Sequence, residues 1–515
     1  MVAPKECLRT SENEFAFTLL NAICSSHSTN GSLSEAIVFM RTFSKTTTLF
    51  SLLLIGLCIV APSRMAAQTF TVLHTFTTPD PNTGTNSDGD NPRTGLILFE
   101  NTLYGTAHQG GDSANGTVFK VNVDGTGFAT LHSFTKLQGP PLEVGTNFDG
   151  IWPRGKLVLS GRTLYGTTSL GGPLRWGTIF AVNIEAAGFT NLHTFASQPN
   201  DGSFCYAGMV LSGNTFYGAT YSGGGANEGA LFAINQDGTD FRNIYSFGNL
   251  FGSDITGGFQ PETDLALSAT ALYGTASFGG QVDGSGFGTV FTVQTDGTGF
   301  KSLYTFLGGT NGDTPEGGLV VMGNTLYGTT ADDEESIDSN YGRIFAINTN
   351  GTGFTLLHRF TGDDGRGPAG ALILLGNTLY GTTQYGGPSN YGVLFSIKTD
   401  GTDFSILHTF SFADGAFPNG SLVFSNNTLY GTTSETVFSL SLGPAAPPQL
   451  NMAAIGPSLR FTWPTNATSF TLQSTTNLGP SAFWTAATTQ PVLINGLNTV
   501  TNSISGAQQF YRLAQ

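Results

Sequence analysis

Five of the chain's seven histidines, His74, His132, His193, His358 and His408, stand in one recurring segment of the form Leu-His-x-Phe. Imidazoles can ligate a metal or move a proton, so a repeated histidine is the first place to look for chemistry. Two further copies of the segment carry Tyr245 and Tyr304 instead. A phenol is a poor zinc ligand, yet it replaces an imidazole well as a flat, hydrogen-bonding ring. Strands of separate repeats are also too dispersed to share one ion, so the register reads as packing. A second element, Asp-Gly-Thr, begins at Asp124, Asp237, Asp296 and Asp400, with Asn350 in another copy. Calcium takes several oxygens, and most copies offer one carboxylate; Asp-Gly is favoured in tight turns on its own account. The dense acidic run Asp332, Asp333, Glu334, Glu335 and Asp338 is where calcium could bind, although a solvated charged loop is the plainer reading. No other cofactor is implied.

Aromatic rings supply the remaining chemistry. Trp176, Phe287, Tyr341 and Tyr391 each precede a glycine in a predicted loop, Phe278 and Tyr385 precede Gly-Gly, and Trp152 and Tyr206 lie in connections between repeats. Flat rings stack on sugar faces, which makes Trp152, Trp176, Tyr206, Phe278, Tyr341, Tyr385 and Tyr391 the ligand-binding candidates. Recurrence at equivalent places also suits loop packing, and Trp152 is the freest of them. There is no Gly-x-Ser-x-Gly elbow, His-Glu-x-x-His helix or Gly-Lys-Ser phosphate loop. His108, with Asp112 nearby, is an isolated pair. Two carboxylates acting on a glycosidic bond can lie far apart in sequence, so that chemistry stays open.

The elements that must hold these residues come in seven near-copies marked by Tyr104, Tyr165, Tyr217, Tyr273, Tyr327, Tyr380 and Tyr430, spaced 61, 52, 56, 54, 53 and 50 residues apart. A period of this size marks stacked all-β units, none able to bury its apolar face alone. The sixth copy predicts four antiparallel strands: Ala371–Leu375, Thr378–Thr383, Val393–Lys398 and Phe404–Phe410, joined by a Gly376-Asn377 turn, a long loop and an Asp400–Asp403 hairpin. The fourth-strand pattern already appears at Phe70–Phe76, before any first strand, and the last copy stops at Leu442 without one. The two halves make one sheet. The expectation is an all-β fold, a seven-bladed β-propeller over residues 70–442 closed by its N-terminal strand. Its long loops, between second and third strands and between blades, share one face, where binding is expected.

The recurrent Asn-Thr-Leu-Tyr-Gly-Thr-Thr, Gly-Gly, Gly-Thr-Val-Phe and Asp-Gly-Thr-Gly-Phe elements resemble the GloVer tandem repeat family of exported proteins. That resemblance implies export and a propeller-like array, and it carries no catalytic residues and no ligand. After the linker at 443–448, residues 449–515 hold short predicted strands around Leu459–Trp463, Ser469–Gln473 and Phe510–Leu513. They are similar to small fibronectin-like or immunoglobulin-like modules, and a small β-sandwich-like domain is expected.

Composition bounds the function. The net charge of −15 repels phosphate backbones, which argues against nucleic acid as a partner. Leu49–Ala61 is an apolar stretch too short to span a bilayer, preceded by Arg41 and Lys45 and followed by Met65-Ala66-Ala67. Residues 40–67 thus read as a cleaved signal peptide and residues 1–39 as an extension upstream of a true start at Met40. Only Cys205 remains after cleavage, so no intramolecular disulfide is expected. The leading expectation is a non-catalytic, secreted or cell-surface monomer without a transmembrane span, binding a glycan or protein. A carbohydrate-active enzyme using carboxylates on the long-loop face and a structural envelope module are the alternatives.

Overall fold

The computed structural model describes residues 68–515 apart from 139–144, 187, 198, 200, 249–256, 282–285, 309–311, 332–340, 369, 444–449, 456–457, 465–470, 477–482, 487–489, 495–496, 504–508 and 515. The signal-peptide and start-site expectations, the acidic run at 332–338 and nearly all of the linker lie outside the described residues. Among those described, every regular element is a strand.

Residues 66–443 form one compact unit. It holds seven four-stranded antiparallel cores, referred to as sheets 1 to 7. Sheets 1 to 6 start at Ile97, Val158, Val210, Ala266, Val320 and Ile373 and end at Ser133, Thr194, Ser246, Thr305, Arg359 and Thr409. Sheet 7 combines Val423–Ser425, Thr428–Thr432 and Thr436–Ser441 with Thr69–Thr75 from the far end of the chain. That N-terminal strand pairs antiparallel with Thr436–Ser441, Phe70 opposite Leu440 and His74 opposite Val437. Each first strand is only three residues long, shorter than the apolar run suggested. In sheet 6 the pairing covers Ile373–Leu375, while Ala371 serves another purpose described below.

Why the pattern repeats follows from what each position touches. Along Leu-Tyr-Gly the side chains alternate between faces. Leu103 joins a core shared with sheet 7, and Tyr104 joins one shared with sheet 2. The same division recurs around the array: seven apolar cores join sheets 1–2, 2–3, 3–4, 4–5, 5–6, 6–7 and 7–1. Glycine follows the tyrosine because a phenyl ring lies flush on the backbone. A Cβ at Gly105 would stand 2.6 Å from Phe119 Cζ, and one at Gly431 2.5 Å from Phe438 Cζ.

The recurring His/Tyr register makes a second tier of contacts. Each ring stacks on the phenylalanine that follows the hairpin between third and fourth strands of the next sheet: His74 on Phe128, His132 on Phe189, His193 on Phe241, Tyr245 on Phe300, Tyr304 on Phe354 and His358 on Phe404, with centroids 3.6–4.1 Å apart. The seventh stack, His408 on Phe70 at 3.7 Å, draws its partners from opposite ends of the array. Every histidine of the register also meets a carboxylate through Nε2: Asp88, Asp149, Asp201, Asp364 and Asp414, at 2.8–3.2 Å. These aspartates anchor the connections between sheets, so the rings are framework. The Asp-Gly-Thr hairpins are turns of the expected kind, with Thr126 and Thr402 donating to Asp124 and Asp400.

Pro444–Gln515 belongs to a second unit. Its strands form one sheet of four and one of three, and Phe461, Trp463 and Val500 from the first share a buried core with Leu472, Tyr511 and Leu513 from the second.

Two measurements test this account. Phe70→Ala should lower the unfolding free energy by roughly 2–4 kcal/mol, at least as much as Phe354→Ala in an ordinary stack; a change within about 0.5 kcal/mol in urea titration would contradict it. Burial lowers the pKa of His74, His358 and His408 despite the carboxylate beside each. The unfolded chain therefore takes up protons more readily, so stability is full above the ordinary imidazole value of about 6.5 and falls as pH drops below it. Comparison with His358→Tyr isolates this contribution: the parent's urea midpoint should fall relative to the variant's between pH 7.5 and 5, and a constant difference would contradict it.

Candidate functional site

The site grows from a kink that precedes each first strand. Asn91, Trp152, Phe204, Gln260, Thr314, Gly367 and Phe417 all have φ between 43° and 65°, a left-handed backbone that L side chains adopt at some cost. Each but one is followed by proline: Pro92, Pro153, Pro261, Pro315, Pro368 and Pro418. In sheet 3 the place is taken by Cys205, fully buried, with its thiol pushed up to about 12 by that burial. The kink is held from the neighbouring sheet. Trp152 N–H donates to Asn115 O, Phe204 to Trp176 O, Gln260 to Glu228 O, Thr314 to Phe287 O, Gly367 to Tyr341 O and Phe417 to Tyr391 O. The proline ring then packs where the neighbour's third strand opens, so that a Cβ at Gly116 would lie 2.7 Å from Pro153 Cδ.

This frame delivers two side-chain positions per sheet to one place. The residue after the proline position gives Arg93, Arg154, Tyr206, Glu262, Glu316 and Asn419, and the residue two further on gives Gly95, Lys156, Gly208, Asp264, Gly318, Ala371 and Ser421. Members of both sets from all seven sheets line a single cavity of about 120 Å³. The second set forms its floor as an unbroken round of contacts. A Cβ on Gly95 would lie 3.0 Å from Ser421 Cβ and 3.3 Å from Lys156 Cδ. Gly208 N–H donates to Asp264 Oδ1 at 2.6 Å, and a Cβ there would touch Lys156 O at 2.6 Å. Gly318 lies between Asp264 and Ala371, and Ala371 N–H donates to Ser421 Oγ at 3.2 Å. The result is a cup with small residues beneath it.

Charge is segregated around its wall. Cations come from sheets 1 and 2, carboxylates from sheets 4 and 5. Arg154 Nη2 reaches across to Glu262 Oε2 at 3.9 Å, the outer limit of an ion pair, and its guanidinium lies 4.3 Å above the Tyr206 ring. Enclosure by the walls, with Glu262 alongside, pushes the Glu316 carboxyl up to about 7, against the opposing pull of Arg154. Burial likewise raises Glu262 and Asp264. Behind the cations, His108 is driven down to about 4, first by burial and then by Arg93 and Arg154, and stays neutral at physiological pH.

Of the aromatic candidates, Tyr206 alone lines the cup. Trp152 forms the kink of sheet 2, its ring 5.7 Å from His108. Trp176 stands edge-on to Phe204 at 5.4 Å, and Phe278 lies on Phe259 at 5.9 Å. Tyr341 and Tyr385 flank Arg366, while Tyr385 and Tyr391 both meet Phe417. These rings join one sheet's loops to the next. Sequence reasoning passed over Arg93, Arg154, Lys156, Glu262, Asp264 and Glu316. The signal was present, since charged residues make up only 11% of the chain yet recur just after the same proline. Among the described residues no group of three His, Cys, Asp or Glu could hold a metal ion.

Fold and cup together define an all-β, propeller-like repeat protein with a central, charge-divided site. The chain belongs to the Gloeobacter/Verrucomicrobia repeat family, whose pattern matches residues 61–282 and 250–440. No curated protein matches it in sequence. Among solved structures it is similar to an oligogalacturonate lyase from Vibrio parahaemolyticus, with 11% identity and TM-score 0.45 over 74% of this chain and 98% of that one. It is also similar to the tricorn protease, with 11% identity and TM-score 0.36 over 73% and 33%. TolB from Acinetobacter baumannii gives 13% identity and TM-score 0.33 over 56% and 58%. No helix among the described residues is long and apolar enough to cross a membrane.

The Glu262–Glu316 coupling is open to direct titration. Carboxylate NMR should find Glu316 titrating near 7. Glu262→Gln should lower that value by removing a like charge, and Arg154→Gln should raise it by removing an opposite one. An ordinary carboxyl value, unmoved by either change, would contradict the arrangement.

Proposed function

We propose that the chain is an exported, non-catalytic binding protein, monomeric and held outside the cell or at its surface. Residues 70–442 form a closed seven-bladed β-propeller that takes a glycan or protein ligand on the long-loop face, through the cup. A small β-sandwich-like domain follows at 449–515. The observation that carries this reading is the convergence of all seven repeats on one cavity that gathers six charged side chains. In a chain this poor in charge, desolvating six such groups at one mouth costs stability unless a ligand uses them.

One observation favours a second reading, a carbohydrate-active enzyme. Glu316 is pushed up to about 7 with Glu262 alongside, and a carboxyl that keeps its proton near neutrality beside a second carboxyl is suited to act as the acid of glycoside cleavage.

A glycan array probed with the secreted chain, with mass spectrometry of the recovered saccharides, separates the two. Retention without new products, reduced at least tenfold by Arg154→Gln, is the expected outcome. Saccharide turnover lost in Glu316→Gln would favour the enzyme, and retention unchanged by either variant would remove the cup from both readings.

A further inference from the structure

We propose that the cup receives a compact zwitterion, a carboxylate and an ammonium a few bonds apart as in a small amino acid, with the carboxylate against Arg93 and Arg154 and the ammonium against Glu262 and Glu316. The inference rests on the reading of the cup as the binding site and specifies what enters it.

The argument starts from how the charges are left. Elsewhere this protein closes its ion pairs tightly even in full solvent: Arg162 to Glu185 at 2.6 Å and Arg242 to Asp240 at 2.7 Å. In the cup the same chemistry is held open. Arg154 and Glu262 stand 3.9 Å apart. Arg93 has a neutral partner, Asn91 Oδ1 at 3.1 Å, and the charge that acts most on Glu316 is the like charge of Glu262, ahead of Arg154. Two guanidinium groups on one arc repel, as do two carboxylates on the other, and each pair is relieved by a counter-charge placed between its members.

A purely anionic ligand would satisfy the arginines and be repelled by the carboxylates; a purely cationic one meets the reverse. Only a ligand carrying both charges answers both arcs, with the Tyr206 ring to cover its apolar spacer. The backbone beneath is fixed by kinks, prolines and the contact round of the floor, so the charges are preorganised and little ordering cost falls on binding.

Glu316 must be ionised to hold an ammonium. It faces Glu262 and Arg154, with Arg93, Lys156, Asp264 and the Tyr206 phenol on the same walls. Binding should therefore strengthen as pH rises from 6 to 8, the range in which Glu316 loses its proton.

The test is calorimetric titration of the full secreted protein with γ-aminobutyrate, butyrate and butylamine, followed by glycine, β-alanine and 5-aminovalerate to find the preferred charge spacing. At least one zwitterion should bind ten times more tightly than its carboxylate-only and amine-only counterparts. Glu316→Gln should erase the preference over the carboxylate, and Arg154→Gln the preference over the amine, with both variants keeping the parent's circular dichroism spectrum and a cooperative melt. Half-analogues that bind as well as the zwitterion, or no binding across the series, overturn the proposal. If a neutral glycan still binds in an Arg154-dependent way, the cup remains a binding site and the zwitterion alone is rejected. If no ligand responds to either variant, the cup reading fails as well.

Discussion

Each of the seven sheets is apolar on both faces and buries them against a neighbour on either side. An array of such sheets leaves two faces wet unless its ends meet. Here they do: a core containing Leu73, Phe76, Tyr430 and Val437 from sheet 7 and Leu103 and Phe119 from sheet 1 joins last to first. The stack of His408 on Phe70 performs the same service at the outer edge. All other features, the site included, depend on that meeting of the ends.

The meeting explains how a site can arise from residues that share no local sequence. Seven kinks of one geometry bring equivalent positions to a common centre, and every repeat contributes to the lining of the one cavity. Repetition fixes the place, and departure from repetition supplies the chemistry. Arginine, tyrosine, glutamate and asparagine occupy positions whose backbones are interchangeable, and the order of the repeats becomes the order of charges around the wall. Six of the seven kinks hold a non-glycine residue at positive φ. Such strain persists where surrounding contacts over-determine it, and at Trp152, Phe204, Gln260, Thr314 and Phe417 a hydrogen bond to the neighbouring loop does so.

The His/Tyr register shows how little a recurring residue type says by itself. Its five histidines look like chemistry, yet each sits between a phenylalanine and an aspartate that tie one sheet to the next. The recurring loop aromatics behave alike. Their backbone carbonyls hold the kinks and their rings meet loops of the adjoining sheet, so their spacing reflects assembly.

The sequence by itself determined the strands, their order, the hairpins and the sharing of sheet 7 between the two ends of the chain. Those follow from local rules: alternating faces along Leu-Tyr-Gly, Asp-Gly turns, and a fourth-strand pattern found ahead of any first strand. It also limited the chemistry, through low charge and an acidic balance. Tertiary structure alone decided which residues meet. Arg154 and Glu262 are separated by more than a hundred positions in the chain, and no local pattern sets them across one cavity. Their encounter comes from the meeting of seven sheets around one cavity. Glu316 acquires its unusual proton affinity from the same source, because the walls that enclose it come from other repeats.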